Sequence, residues 1–202
     1  MNFYSQQNED KILFEKYLNY ENGFFIELGA MDGVMYSNTL FFENSLKWKG
    51  VLIEPTNQYN SLIQNRPNCH NFNYAISETK GMVEFLGDGA LGGMTHTMSE
   101  KHRIGWNLDQ AGPTYNVPAI PISELLSTID IERVDFFSID VEGGELEVLN
   151  TFDWNIPVYV VLIEINQDLD KNQKCRDILT SKGFEFDMEI GCNEVWVNKK
   201  NK

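Results

Sequence analysis

Acidic and amide side chains recur in this chain directly after short apolar runs, the positions at which a strand ends and a ligand can be met. Glu27 and Asp32 flank Gly29, Glu54 stands before Pro55, Asp140 and Glu142 precede Gly143-Gly144, and Glu164 and Asn166 close the run VYVVLIEIN. A carboxylate at such a place can accept two hydroxyl hydrogen bonds at once, take a proton as a general base, or bind a hard cation. Asp140, Glu164 and Asn166 end neighbouring strands in this reading, and their oxygens could converge on Mg²⁺. The same acids could instead bond loop amides or hold the edge of a cofactor. Glu142 and Asp140 are also candidate proton acceptors, and His96 competes with them. His96 and His102 lie in a glycine-rich stretch where a base could reach a bound hydroxyl, whereas His70 precedes a strand and reads as structural.

The stretch FFIELGAMDG, Phe24 to Gly33, is the one around which these candidates gather. A buried strand that ends in glycine and leads to a helix is how a doubly wound sheet makes a nucleotide pocket. Its glycines do not follow the G-x-G-x-x-G spacing that seats a pyrophosphate on a helix N-terminus, so a dehydrogenase is disfavoured. Acids beside such a pocket would repel phosphates but suit a ligand with an ammonium and a sulfonium. The ligand this points to is S-adenosylmethionine rather than NAD. Taken alone, the pattern also describes an ordinary buried strand and turn.

The surrounding elements must position these groups. Residues 8–20 carry apolar side chains at helical spacing, within an N-terminal helical segment over 1–22. Ser37 is placed to cap a helix over 38–48 that Gly50 ends. Strands are expected at 51–53, 71–77, 134–140 and 158–165, with 82–86 as a hairpin-like extension of the third. Thr56 can cap a helix that stops before Pro67, and further helices are expected at 123–129, 145–151 and 172–182. The segments 184–190 and 194–198 read as a C-terminal antiparallel hairpin. Between 87 and 118 no period is sustained and glycines are frequent, which reads as a lid or substrate-facing loop. Trp106 and Tyr115 within it could stack on a sugar ring or pack the segment down. The resulting class is α/β, doubly wound, with a mostly parallel seven-stranded sheet.

With 202 residues, the chain is expected to form one domain, 1–202. A hydrophobic content of 42% describes a packed globule. The net charge of −14 argues against nucleic acid and anionic membranes, both of which need a basic footprint. Small-molecule or glycan acceptors fit better. Three widely spaced cysteines without a C-x-x-C pair point to a reducing compartment. The N-terminus has no basic start followed by an apolar run, and no stretch reaches the roughly 20 apolar residues of a membrane span. A cytoplasmic, intracellular location is the expectation.

ELGAMDG, LIEP, NYAIS, FFSIDVEGGELEVL and VLIEIN, in this order, resemble the FkbM family of S-adenosylmethionine-dependent methyltransferases. The most specific part is D-x-E-G-x-E, here Asp140, Glu142, Gly143 and Glu145. SQQNED near the start and SNTLFFE before LKWKGVLIEP further resemble a branch of Star-like proteins, not all of them catalysts. The resemblance implies a class I, Rossmann-like fold. It implies a cofactor site of Glu27, Gly29, Asp32, Gly33 and Asn38, with Gly29 and Asp32 by the methionine part. Glu54 and Pro55 would lie by the ribose and Ala75, Ile76 and Ser77 by the adenine, with Asp140 also in the cofactor site. It also implies methylation of a hydroxyl, often on a sugar. The alternative is a non-catalytic, methyltransferase-like binding protein.

Overall fold

The structure is a computed structural model, and it describes residues 1–165 and 168–202. Alternation of side chains along strands and the helical period sort the apolar residues into layers. The elements are α1 (Glu9–Lys16), β1 (Phe24–Leu28), α2 (Leu40–Leu46), β2 (Lys49–Ile53), α3 (Tyr59–Asn65), β3 (His70–Phe72), β4 (Ala75–Ile76), β5 (Gly81–Leu86), β6 (Gly93–Met94), α4 (Glu100–Gly105), α5 (Leu108–Ala111) and β7 (Thr114–Ile120). There follow α6 (Ile122–Leu126), β8 (Val134–Ile139), α7 (Glu145–Thr151), β9 (Val158–Glu164), α8 (Leu169–Ser181), β10 (Glu185–Ile190) and β11 (Asn193–Val197). The main sheet has seven strands in the order β10-β11-β9-β8-β1-β2-β3. The pairs from β9 to β3 are parallel, and the β10–β11 hairpin is antiparallel.

Both faces of this sheet are buried, so its central strands are mostly apolar, with Glu27, Asp135, Ser138 and Glu164 as their buried polar exceptions. Ile26, Leu28, Phe137, Ile139, Val161 and Ile163 face one core with α6, α7 and α8. Phe25, Leu52, Phe136, Val160 and Leu162 face the other with α1 and α2. Helices on both sides of a mostly parallel sheet make the expected doubly wound α/β architecture. Burying a side chain of this size contributes about 1.5–3 kcal/mol, and β8 and β9 are buried at every position. Among the described residues no helix is long and apolar enough to cross a membrane.

Four local expectations are corrected. The strand expected over 71–77 is two strands in different sheets. Between them the Asn73 amide donates to the carbonyls of Glu54 and Thr56, turning the chain out of the main sheet. Strand β5 is not a hairpin extension of it but pairs with β7 along its whole length. The 87–118 segment is not without structure, since β6, α4, α5 and the start of β7 fall within it. Together β4, β7, β5 and β6 form a second sheet of four strands around Phe85, Met94 and Val117. Strands β4 and β6 have two residues each, too few for a period to show, and β5 meets β7 only across the segment that holds α4 and α5. Lastly, α2 ends at Lys47 in a left-handed conformation, and Gly50 belongs to β2, where the Phe25 ring occupies the space of a side chain.

Candidate active site

The C-terminal edge of the parallel strands opens into a cleft with a volume of about 340 Å³, within the usual range for ligand pockets of about 300–1,000 Å³. Its floor is built first by Gly29, which has φ +74°; a side chain there would collide with the Asp140 carbonyl. Close approach of two strand ends, β1 and β8, is therefore what the glycine permits. The amides of Gly29 and Ala30 donate to the Ile53 carbonyl at 3.1 and 3.2 Å, tying the turn to the end of β2.

Glu54 stands just beyond that end. Its two carboxylate oxygens accept from the Met31 and Thr56 amides at 2.9 and 2.8 Å. Burial pushes its pKa up, against the lowering effect of those bonds. The side chain is thus held rigidly, with its carboxylate forming part of the cleft wall beside Pro55, Ala75 and Ile76.

Glu27, also in the wall, has a different duty. Its oxygens accept from the Asn38 amide at 2.7 Å, the Ser37 hydroxyl at 3.0 Å and the Thr39 hydroxyl at 2.5 Å. Behind it lies the fully buried Arg66, paired with Glu43 and donating to Gly33 O at 2.9 Å, Ser37 at 3.2 Å and Thr39 at 3.1 Å. Ser37 Oγ in turn accepts from the amides of Thr39 and Leu40, but α2 begins at Leu40 rather than 38 and its N-cap is Thr39, not Ser37 as the sequence suggested. This network fixes Asn38, whose amide donates to Ser138 at 3.0 Å. Among the described residues its Oδ1 has no hydrogen-bond partner, and Asn38 lines the cleft.

The D-x-E-G-x-E motif divides its labour. Glu145 is buried and its carboxylate accepts from the Gly143 and Val141 amides at 3.0 and 3.3 Å. Gly143 takes φ +105° against the Thr97 carbonyl, where a side chain would clash. Lys171 braces the same place by donating to Thr97 O and Gly143 O. Glu142, left-handed at φ 52°, directs its carboxylate to His102 Nδ1 at 3.3 Å. Asp140 is exposed to the cleft. The enclosing walls, with Glu145, Glu9 and Glu27 nearby, push its pKa from 3.8 up to about 7. Asp140, Glu142 and Glu164 bring carboxylate oxygens within 4.8 Å of one another, a set of hard donors.

Several expected residues lie elsewhere. Asp32 does not line the cleft; its carboxylate accepts from the Val34 and Met35 amides at 2.9 and 2.8 Å and shapes that turn. Gly33, at φ +80°, is needed because Leu62 and Arg66 pack against it, not because a ligand approaches. Ser77 is buried away from the cleft and bonds to Ile120 O. His96 is also outside the cleft lining; its Nε2 lies 2.9 Å from Glu147. The histidine in the wall is His102, bonded through Nε2 to Leu91 O at 3.1 Å. Trp106 lines the cleft, while Tyr115 faces a neighbouring groove. Asn166 falls outside the described residues. Residues that sequence reasoning passed over include Gln6, Gln7, Glu9 and Asn193. For the first three the signal was SQQNED, noted only as a resemblance.

A doubly wound sheet with a ligand cleft at the strand ends and an acid at the end of β2 defines a nucleotide-cofactor enzyme of the Rossmann-like class. The model of the methyltransferase FkbM domain matches residues 27–186, and the chain belongs to that family. It is an S-adenosylmethionine-dependent methyltransferase. Among solved structures it is similar to precorrin-6y C5,15-methyltransferase from Geobacter metallireducens GS-15, at 14% identity over 89% of this chain and 72% of that one, with a TM-score of 0.50. It is likewise similar to Aeropyrum pernix fibrillarin with natively bound S-adenosyl-L-methionine, at 10% identity over 96% and 73%, with a TM-score of 0.51. At these identities the likeness concerns the fold. No curated protein sequence matches the chain.

Proposed function

We propose that this enzyme methylates a hydroxyl of a sugar, glycan or related small molecule, with Asp140 as the proton acceptor. The residues present fit the methyl donor. Glu54, in the cleft wall, would accept from the ribose hydroxyls, and Asn38 Oδ1, a buried acceptor, would suit the donor's ammonium. The bound donor supplies an electrophilic methyl on a sulfonium, and positioning governs in-line attack on it. The acceptor oxygen bonds to the methyl carbon as the carbon–sulfur bond breaks, its electron pair going to sulfur. The hydroxyl proton passes to the Asp140 carboxylate, which is regenerated when the resulting carboxyl releases that proton to solvent. A base is most effective when its pKa lies near the working pH. The observation that carries this reading is Asp140 at the end of β8, in the cleft, with a pKa raised to about 7.

The oxygens of Asp140, Glu142 and Glu164 also fit Mg²⁺, with Glu142 in the place that the sequence suggested for Asn166. Such an ion would lower the pKa of a coordinated hydroxyl. The test is incubation with methyl-labelled S-adenosylmethionine and a panel of monosaccharides and oligosaccharides, with NMR locating the label. Label on oxygen with full activity in excess EDTA supports Asp140 as the base alone. Loss in EDTA restored by Mg²⁺ assigns the carboxylates to a metal. Label on nitrogen or carbon overturns the hydroxyl reading.

A further inference from the structure

The cleft extends beyond the residues that the donor accounts for. Across the sheet, Glu54, Tyr74, Ala75 and Ile76 flank the β2 end, and Gly29 with Asp140 occupies the middle. On the far side lie Glu164 at the end of β9 and Asn193 at the start of β11, which are paired in register. Gln6, Gln7 and Glu9 complete that side, from a segment preceding the region matched by the family model.

This N-terminal wall is rigidly built. Asp10 accepts from the Tyr4 amide at 2.7 Å and from the Ser5 hydroxyl at 2.6 Å. Ser5 bridges to Tyr36, which also lines the cleft. Asn8 adopts a left-handed conformation that turns the chain into α1. The buried Glu9 carboxylate accepts from the Gln7 amide at 2.7 Å and from the Asn193 side chain at 3.1 Å, joining the segment to the C-terminal hairpin. Gln7 packs on Gly191, where any side chain would collide with it. The side chains of Gln6 and Gln7 remain exposed at the cleft.

We infer that Gln6, Gln7, Asn193 and Glu164 form the acceptor subsite, and that it takes uncharged or cationic polar molecules and rejects anionic ones. The inference rests on the methyltransferase reading and names the acceptor side of the same cleft. Amides both donate to and accept from hydroxyls, and a carboxylate accepts from hydroxyl or ammonium. Six carboxylates line the cleft, from Glu9, Glu27, Glu54, Asp140, Glu142 and Glu164, and among the described lining residues there is no Lys or Arg. A phosphate, sulfate or carboxylate on the acceptor would be desolvated against these acids with no lining Lys or Arg to receive it. At the mouth the exposed Tyr36 and Trp106 offer apolar faces to a ring.

The experiment uses the full chain saturated with S-adenosylhomocysteine. Saturation-transfer NMR compares methyl glucoside, glucosamine and glucose 6-phosphate at equal concentration. Methyl glucoside and glucosamine should give signals and glucose 6-phosphate none. Gln6→Ala and Gln7→Ala should weaken the first two at least fivefold while calorimetry shows affinity for S-adenosylhomocysteine changed less than twofold. Gln6→Lys should bring in a signal from glucose 6-phosphate. Binding of glucose 6-phosphate to the parent protein as strong as that of methyl glucoside, no signal from any of the three, or no effect of the alanine variants would each overturn the inference. Failure of S-adenosylhomocysteine itself to bind would instead refute the cofactor reading on which it rests.

Discussion

Two groups of acids sit at the ends of adjacent strands and share a cleft, yet their surroundings are opposite. Glu27 is met by one backbone amide, two hydroxyls and a buried guanidinium, that of Arg66, at 4.0 Å. Asp140 has acids for electrostatic neighbours and faces open cleft. Desolvation by the surrounding protein raises the pKa of both, but only the first group has donors and a cation arranged to hold its charge. An acid whose acceptor capacity is filled inside the protein positions a loop; one left facing its own kind is available for a proton or a cationic ligand. Residue type is the same in both, and the partners decide the role.

The contrast can be broken from the reactive side first. Asp140→Asn should lower the transfer rate about 10²–10⁴-fold, the range for loss of a general base, with affinity for S-adenosylhomocysteine nearly kept. An active Asp140→Asn enzyme would move the role to Glu142. The raised pKa of Asp140 also has a consequence for stability. Between 3.8 and about 7 the folded protein holds a proton that the unfolded chain has lost, so this group's contribution to stability falls as pH rises across that window. Relative to the parent, Asp140→Asn should therefore gain stability from pH 4 to pH 8 in denaturant titrations. A constant difference would refute the shift.

From the structural side, Arg66→Leu leaves the buried Glu27 and the partly buried Glu43 without their cation, and loss of one partner of a buried ion pair costs about 3–5 kcal/mol. Urea titration should show it. Adding Glu27→Gln should recover part of the loss; further destabilisation instead would mean that the two are not coupled. The smallest expected effect belongs to Glu54, which lies between the two cases, held by amides but facing the cleft. Glu54→Ala should weaken binding of S-adenosylhomocysteine by about 1–3 kcal/mol, the cost of losing hydrogen bonds to a charged group. Unchanged affinity in calorimetry would place Glu54 with Glu27 as a purely structural acid.

Mostly apolar runs such as VDFFSI and VYVVLIE declared the central parallel strands, because a strand buried on both faces reads as a near-continuous apolar run. The intervening helices and the C-terminal hairpin followed from period and punctuation. With strand order obeying the usual rule, the acids at strand ends were bound to meet a cleft, and Gly29, Glu54 and Asp140 were legible on that basis. The second sheet was not, since β4 and β6 have only two residues each and β5 meets β7 only across the segment that holds α4 and α5. Nor was the division between Asp32, which turns its carboxylate to its own neighbours' amides, and Asp140, which does not. His96 and His102 are six residues apart in one glycine-rich segment, and only the packing of α4 puts one in the wall and the other beside Glu147. Gln6 and Gln7 reach the cleft because Glu9 joins them to Asn193 at the other end of the chain. Period and composition specify which faces are buried; which polar groups meet is decided by contacts between residues far apart in the chain, and those exist only once the core has closed.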